Sequence, residues 1–280
     1  MIKMRLKLLL PFILIALCCS QQCLAEEDDV DGIAPLAPMV DVDVSHLQVV
    51  YKYVAKDTVI KQVQEKNEIL VVGSKASFYS NYENFLMSLA IDSIGRDRIL
   101  RSQYGRLLYR YRAENLSFYI CKWRDDHRIL YKDYVSMGSM YYYEDLPKLD
   151  WTLCEERQTI IGYSCQKAIL PFRGRTWVAW FTQALPSDGP WKLGDLPGMI
   201  LKAETLDGMQ SYVAEKILNQ EQKVCYPDPN KSIKTTRERF NKAVRQHKLN
   251  PGQSMAGIVT NMDGTPMQMP RKFYSPQELE

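Results

Sequence analysis

Histidine is scarce in this sequence, and the patterns that mark several enzyme classes are missing. The three histidines are His46, His127 and His247, and no two of them have the spacing of a zinc-binding pair. The sequence also lacks a Gly-x-Ser-x-Gly nucleophile elbow, a phosphate-binding loop and a dinucleotide-binding fingerprint. Glu155 and Glu156 are adjacent, so on a strand they would face opposite ways. The sequence therefore indicates no catalytic residue, no metal ligand and no cofactor.

An apolar run long enough to span a membrane is also missing. The run from Leu8 to Cys19 is shorter than the roughly 20 residues that a spanning helix needs. Three basic residues precede it, and the small residue Ala25 follows it. This order is typical of a secretory signal peptide, which we predict over residues 1–25. The mature protein is then expected in the periplasm or at the outer membrane.

Two other interpretations of the N-terminus stay open. An uncleaved N-terminal anchor would use the same apolar run, although its length and flanks favour a cleaved leader. A lipoprotein would carry its lipid on Cys23, and the acidic stretch Glu26 to Asp29 resembles the tail that follows the lipidated cysteine in surface-exported lipoproteins of Bacteroidota. However, Gln21 and Gln22 occupy positions where a small residue is needed. We rank simple cleavage first and lipidation second.

Net positive charge is absent once the leader is set aside. The formal charge of the whole chain is +3, and Lys3, Arg5 and Lys7 of the leader account for all of it. A neutral mature chain argues against nucleic acid as a partner. Residues 26–46 contain seven acidic residues and no Lys or Arg, which predicts a disordered acidic linker. The alternative of a cation-binding tail lacks the ligand spacing of a Ca²⁺ loop.

Residues 47–280 are predicted to form a single β-rich domain. Short β-prone runs follow one another with turn signals between them, as in an antiparallel sheet. Helical periodicity occurs from Asn81 to Ser102, with an interruption at Gly95, and again from Ile233 to Lys248 after a capping Ser232. The second helix either packs on the sheet, which we prefer, or lies on an anionic membrane. We predict a mainly β fold, a curved antiparallel sheet or half-open barrel with one or two packed helices.

The densest stretch of glycine, proline and large apolar residues lies between Gly189 and Leu201. Within it, Pro197 and Gly198 suit the two central positions of a type II turn. Shortly afterwards, Asp207-Gly208 separates two β-prone runs, which predicts a hairpin with a type I′ turn. We therefore assign Pro197, Gly198, Asp207 and Gly208 structural roles.

A series of motifs, densest in the middle of the chain, carries a resemblance to a known family: Ser77-Phe78-Tyr79-Ser80, Ile160, Gly162-Tyr163, Cys165, Lys167-Ala168, Arg173-Gly174-Arg175, Trp177, Ala179-Trp180, Gly189-Pro190-Trp191, Leu196-Pro197-Gly198-Met199-Ile200 and Tyr274-Ser275-Pro276-Gln277-Glu278-Leu279. With these motifs the chain resembles the GLPGLI family of Bacteroidota envelope proteins. Three positions depart from the family pattern, since Asp195 replaces its first glycine, Met199 its leucine and Ser275 an asparagine. The resemblance implies export to the cell envelope and a mostly β fold, and it implies no established activity and no catalytic residues.

Four cysteines follow the leader, at positions 121, 154, 165 and 225. An even number in an exported protein suggests disulfides, and sequence alone does not select among the three possible pairings. Free buried thiols are the alternative, because cysteine packs like a small apolar residue. A nucleophilic cysteine is a weaker third option, since no histidine is placed to activate it. The disulfide candidates are Cys121, Cys154, Cys165 and Cys225.

Candidate binding residues come from the arginines and aromatic residues of the central stretch. Arg173 and Arg175 lie two apart and would share a strand face. Trp177, Trp180 and Trp191 could line an apolar groove, although core packing and cross-strand pairing are the commoner roles of aromatic residues in sheets.

Three functions remain in contention. The first is a non-enzymatic binding or accessory protein for an apolar ligand or an outer-membrane partner. The second is an extracytoplasmic hydrolase. The third is a copper-handling protein, because thioether ligands suit Cu(I) and four methionines cluster late in the chain; the alternative for these residues is tail packing. They are Met255, Met262, Met267 and Met269.

The predicted leader gives a direct test. The intact mass of the protein purified from its native host is expected to correspond to a chain that begins at Glu26, because the signal sequence ends at a small residue. A mass that fits an acylated Cys23 would overturn simple cleavage and place the protein on a membrane surface.

Overall fold

The computed structural model describes residues 31–113, 117–136, 138–254, 260–262, 264–265 and 267–279. The predicted leader, the first residues of the predicted linker and Met255 lie outside these ranges. Strands make up 47% and helices 18% of the described residues, which confirms the prediction of a mainly β fold with packed helices.

Among the described residues, thirteen strands form one sheet. Of the three helices of more than two turns in this part of the chain, two pack on the sheet and the other packs against the first helix. The strands are β1 (Met39–Asp57), β2 (Gln62–Gly73), β3 (Ala76–Asn81), β4 (Tyr119–Trp123), β5 (Arg128–Val135), β6 (Gly138–Asp145), β7 (Thr152–Ile160), β8 (Tyr163–Phe172), β9 (Arg175–Thr182), β10 (Met199–Thr205), β11 (Gln210–Leu218), β12 (Gln222–Pro227) and β13 (Ile233–Lys234). The helices are α1 (Tyr82–Ile94), α2 (Arg101–Tyr111), α3 (Arg237–Leu249) and the short α4 (Pro251–Ser254), and a 3₁₀ turn covers Pro229–Lys231.

The strand order is β13-β6-β5-β4-β3-β2-β1-β11-β10-β9-β8-β7. All neighbours are antiparallel except β13 and β6. The long strand β1 holds the two halves together, because its residues 45–57 pair with β2 on one side. On its other side, residues 39–45 pair with β12 and residues 48–55 pair with β11.

The sheet curls strongly without closing. Strands β6 and β8 are nine places apart in the strand order, which would separate them by about 43 Å in a flat sheet. Yet Arg173, directly after β8, lies with its guanidinium 3.1 Å from the carboxylate of Glu144 in β6. The sheet therefore bends round on itself, and the face that carries this contact is concave. This is the half-open arrangement expected of the curved sheet.

Alternating side chains fill the two faces. On the concave face, Tyr51, Leu70, Tyr79 and Ile120 belong to one large core that extends to β8 and β9. Their strand neighbours, such as Val50, belong to a second core on the convex face. Helix α1 covers part of the convex face through Tyr82 and Phe85, whereas α3 packs on the concave face through Phe240. Because both faces of the sheet are buried, most central strands have apolar residues at odd and even positions alike.

No helix among the described residues is long and apolar enough to cross a membrane.

The predicted disordered linker is wrong for residues 39–46, which form the first part of β1. Val40 and Val42 pack against the convex core, and the intervening acids find partners in the folded chain. Asp41 lies 2.6 Å from the ammonium of Lys223. Asp43 accepts hydrogen bonds from the backbone N–H groups of Lys75 and Ala76, at 2.7 and 3.2 Å. The carboxylates of Asp41 and Asp43 would repel each other in an isolated segment, whereas in the folded protein each contacts its own donors.

Two helix predictions are correct apart from their ends, whereas α2 was not predicted. Helix α1 ends before Gly95, whose φ of 105° interrupts the pattern as expected. The predicted helical residues after Gly95 include only the first two residues of α2, Arg101 and Ser102. Helix α3 begins four residues later than predicted, because the hydroxyl of Thr236, not that of Ser232, accepts the hydrogen bond from the N–H of Arg239. It ends at Leu249, one residue after the predicted end at Lys248.

The hairpin at Asp207-Gly208 is confirmed, although its turn is not type I′. The N–H of Gly208 donates to the carbonyl of Thr205 at 2.8 Å, and of the two central residues only Gly208 has a positive φ, 67°. Asp207 instead accepts hydrogen bonds from the hydroxyl of Thr205 and the N–H of Met209. These local acceptors favour a turn with a single left-handed residue at glycine.

The turn at Pro197-Gly198 also differs from the prediction. The N–H of Gly198 donates to the carbonyl of Leu196 at 2.7 Å, so the turn is tighter than type II. Gly198 has a φ of 152°, and a Cβ built on it would lie 2.0 Å from the carbonyl oxygen of Thr182. Glycine is therefore required at position 198 for two reasons. Its φ is one that other residues rarely adopt, and the end of β9 lies too close to leave room for a side chain.

Gly198→Ala is expected to lower the free energy of unfolding by about 3 kcal/mol or more, because the added methyl group meets backbone atoms that cannot move independently. Urea denaturation measures this. Gly194→Ala is the matched control, since nothing lies within 4 Å of a Cβ at Gly194; it is expected to change stability by less than about 1 kcal/mol. Equal effects from the two substitutions would contradict this account of Gly198.

Candidate functional site

The loop that joins β9 to β10, residues 183–198, runs along the concave face and places two charged side chains in the interior. The first is Asp188, which is 5% exposed. It pairs with the ammonium of Lys122 and, at 2.6 Å, with the guanidinium of Arg124. Burial opposes ionisation of Asp188, but these two cations outweigh it and keep the pKa of the carboxyl below its ordinary value.

The second is Lys192, whose side chain is fully buried. Its ammonium lies 2.5 Å from carboxylate oxygens of both Glu144 and Glu278, and it donates to the hydroxyl of Tyr142 at 3.0 Å. The ammonium also faces the rings of Tyr131, Tyr142 and Trp191 at 5.2 to 5.6 Å. Burial opposes ionisation of Glu278, yet Lys192 and hydrogen-bonding neighbours hold the pKa of that carboxyl below its ordinary value.

Arg173 and Arg175 do not share a strand face, so that prediction is wrong. Arg173 has a φ of 52° and lies in the turn between β8 and β9, whereas Arg175 begins β9. Arg173 pairs with Glu144. Arg175 pairs with Asp207 at 2.6 Å and donates to the carbonyl of Pro276 at 2.7 and 3.1 Å. Both guanidinium groups hold the scaffold together.

The three tryptophans do not line one groove. Trp177 and Trp191 are at most 1% exposed, and their rings pack with centroids 5.6 Å apart. Trp180 is half-buried at the margin of the concave core. Of the three, Trp191 alone borders a cavity found among the described residues.

The four cysteines are free thiols in the described structure, which contradicts the predicted disulfides. Cys121 belongs to the convex core and Cys165 to the concave core, so the sheet itself separates them. Burial raises the pKa of the Cys225 thiol to about 11 and that of the Cys121 thiol further. Neutral thiols of this kind are poor nucleophiles.

Of the late methionines, Met262, Met267 and Met269 lie within the described residues. Met262 is fully exposed and Met267 is 40% exposed. Within the described residues, no group of three or more His, Cys, Asp or Glu side chains could hold a metal ion.

Of the cavities among the described residues, one lies on the concave face, beneath α3 and the C-terminal segment 273–278. This concave cavity has a volume of about 220 Å³ and a mixed lining of aromatic and polar side chains. Its rings include Tyr53, Phe118, Tyr131, Tyr142, Trp191 and Phe240, and its polar groups include Gln64, Lys66, Glu68, Asp133, Lys248 and Glu278.

Glu68 is the most perturbed acid of the concave cavity. It is 4% exposed, and the hydroxyl of Tyr79 donates to its carboxylate. Burial raises the pKa of Glu68 to about 7, and the hydrogen bond from Tyr79 only partly offsets this. Glu68 thus exchanges its proton near neutrality in the folded protein.

The second cavity lies between α1 and the convex face. This helix–sheet cavity has a volume of about 210 Å³ and a mainly apolar lining. Helix α1 contributes Phe85, Met87 and Ile91, and the sheet contributes Phe78 and Tyr119. The described lining residues also include Lys132, which is 8% exposed.

Sequence analysis identified neither cavity. Glu68 and Lys132 look like the polar members of alternating strands, and their burial depends on α3 and α1 folding back over opposite faces. The signal in the sequence was their position, since Lys132 follows the apolar start of β5 and Glu68 directly precedes the apolar half of β2.

The raised pKa of Glu68 predicts a pH-dependent stability. Below its ordinary pKa of 4.5 Glu68 is protonated in both states. As the pH rises towards 7, the Glu68 carboxyl ionises in the unfolded chain before it does so in the folded protein. The free energy of unfolding therefore falls by up to about 3 kcal/mol. Glu68→Gln removes this loss and keeps an acceptor for Tyr79. Relative to the parent, its unfolding free energy is therefore expected to rise between pH 4.5 and 7 and to level off above pH 7.

Denaturant titrations across this pH range provide the measurement. Glu155→Gln, at an exposed position of β7, is the control and is expected to show a flat difference. A flat difference for Glu68→Gln as well would show that Glu68 titrates normally in the folded protein.

No protein-family model and no curated protein matches this sequence, so the resemblance to the GLPGLI family stays a prediction. Two structures of PNGF-II, in the P21 and C2 space groups, are similar in fold with TM-scores of 0.48 and 0.46 and 14% sequence identity. Each alignment covers 74% of this chain and 34% of the PNGF-II chain. This chain spans about a third of the length of those structures, and similarity at this level carries no conclusion about activity.

Proposed function

We propose that this chain is a non-enzymatic ligand-binding protein of the cell envelope that takes a small apolar molecule into the helix–sheet cavity. The observation that carries the proposal is the cavity itself, about 210 Å³ of space with a mainly apolar lining. Protein interiors are close-packed, and voids larger than a water molecule are few. Apolar cavities of about 150 Å³ remain dry and accept benzene, so this cavity suits a somewhat larger hydrocarbon group.

The construction of the cavity also supports ligand binding. One wall is the rigid sheet, and the opposite wall is α1, which ends at Gly95 and is joined to α2 by a short loop. Half-buried residues such as Ala37 and Met39 border the cavity at its margin. A helix that can shift slightly over a fixed sheet would admit a ligand with little reorganisation of the core.

Support for the envelope comes from the sequence. The N-terminal residues have the pattern of an export signal, the remaining chain is neutral, and the resemblance to the GLPGLI family implies the same compartment. The edge strand β7 also offers a binding surface for an outer-membrane partner, because the backbone groups on its outer side are available for strand addition.

An extracytoplasmic hydrolase is the second candidate, and Glu68 is the observation that favours it. A carboxyl with a pKa of about 7 in a cavity is suited to proton transfer near neutrality. However, the described lining of the concave cavity contains no histidine and no cysteine, and Glu68 is satisfied by Tyr79. A second converging catalytic group is needed for hydrolysis, so we rank this function below ligand binding.

Calorimetric titration with octan-1-ol tests the proposed function. The parent protein is expected to bind it, and Ala37→Trp is expected to abolish binding because the indole occupies the cavity. Ala184→Trp, in the exposed part of the β9–β10 loop, is the matched control and is expected to bind normally. Should Ala37→Trp fail to fold, Met39→Trp provides a second obstruction. The proposal fails if the parent does not bind octan-1-ol, or if a folded, obstructed variant binds it as well as the parent does.

A further inference from the structure

The charges that border the helix–sheet cavity do not balance. Arg96 pairs with Asp92, with Nε and Oδ1 2.5 Å apart. Lys223 pairs with Asp41 at 2.6 Å. Lys132 is the third cation of the lining, and no carboxylate among the described residues forms an ion pair with it. The cavity therefore carries one uncompensated positive charge.

The position of Lys132 in the sheet explains why it lacks a partner. It follows Tyr131 in β5, so its side chain projects from the convex face, whereas Tyr131 and Asp133 project from the concave face. Its ammonium lies 5.3 Å from the ring centroid of Tyr119, which faces it across the strand pair β4–β5. The aromatic ring offers a cation–π contact but no full negative charge.

A lysine that is 8% exposed and has no counter-ion among the described residues is costly, because burial removes part of the hydration of its ammonium and the ring of Tyr119 replaces it only in part. Burial accordingly lowers the pKa of Lys132, and the charge of neighbouring Asp133 only partly opposes this. A methionine or leucine at this position would fill the same space at lower cost. The unpaired lysine thus has the character of a binding residue placed in an apolar chamber.

We propose that the ligand of the helix–sheet cavity is a medium-chain aliphatic monocarboxylate whose carboxylate pairs with Lys132. The inference rests on the proposed function and specifies its ligand class. One cation matches one negative charge, and the apolar walls match an unbranched hydrocarbon chain. The volume of about 210 Å³, compared with about 150 Å³ for a cavity that takes benzene, restricts the chain to a length near that of octanoate.

Comparing the affinities of octanoate and octan-1-ol isolates the role of the charge, because the two molecules have the same hydrocarbon chain and differ in the head group. Isothermal titration of the parent protein is expected to show octanoate binding about tenfold or more tightly than octan-1-ol, the effect of one charge-assisted hydrogen bond. Lys132→Met is expected to remove this preference, so that octanoate binds no more tightly than octan-1-ol.

Lys223→Met is the matched control, since Lys223 borders the same cavity but is already paired; it is expected to keep the preference for octanoate. Lys132→Met is also expected to be at least as stable as the parent, because no ion pair is lost. If this variant does not fold, Lys132→Gln takes its place.

The outcomes separate the two proposals. Equal affinity of the parent for the two molecules, or a preference that survives in Lys132→Met, would overturn the assignment of a carboxylate ligand and leave the proposed apolar site intact. If the parent binds neither molecule, the proposed function fails together with this inference.

Discussion

The structure depends on two buried charges that one loop carries into the interior of a curled sheet. Asp188 joins the β9–β10 loop to β4 through Lys122 and Arg124, and Lys192 joins the same loop to β6 through Glu144. Such groups are stable inside a protein only if they are paired, and removal of one partner costs about 3 to 5 kcal/mol. These ion pairs therefore fix the path of the loop, and the loop in turn keeps the two halves of the curled sheet close together.

The same cluster fixes the C-terminal segment. Glu278 pairs with Lys192 at 2.5 Å and with Arg237 of α3 at 2.9 Å, so the segment and the helix are held over the concave face. The concave cavity exists because these two elements cover the aromatic surface without filling it. The helix–sheet cavity has an independent origin on the other face, where α1 covers the sheet and leaves Lys132 beneath it. One sheet thus separates a polar, aromatic chamber from an apolar one.

Several features could be predicted from local sequence because their causes are local. Turn residues at Asp207-Gly208 produced the hairpin, Gly95 ended a helix, and successive β-prone runs produced an antiparallel sheet. Predictions that needed knowledge of distant contacts were less accurate. The turn at Gly198 is shaped by the backbone of Thr182, and the acidic residues 41 and 43 are ordered by partners on β12 and next to β3. Arg173 and Arg175 lie two apart in the sequence, but a turn between them removed the shared face.

The sequence by itself determined the class of fold, the approximate positions of α1 and α3 and the lack of familiar catalytic motifs, because periodicity and turn chemistry are properties of neighbouring residues. Tertiary structure alone decided which charges became buried, which cysteines were kept apart and where space remained inside. Glu68 and Lys132 show the reason. Each is an ordinary charged residue of a strand, and its pKa and chemical role arise only when a helix from another part of the chain excludes water from its face of the sheet.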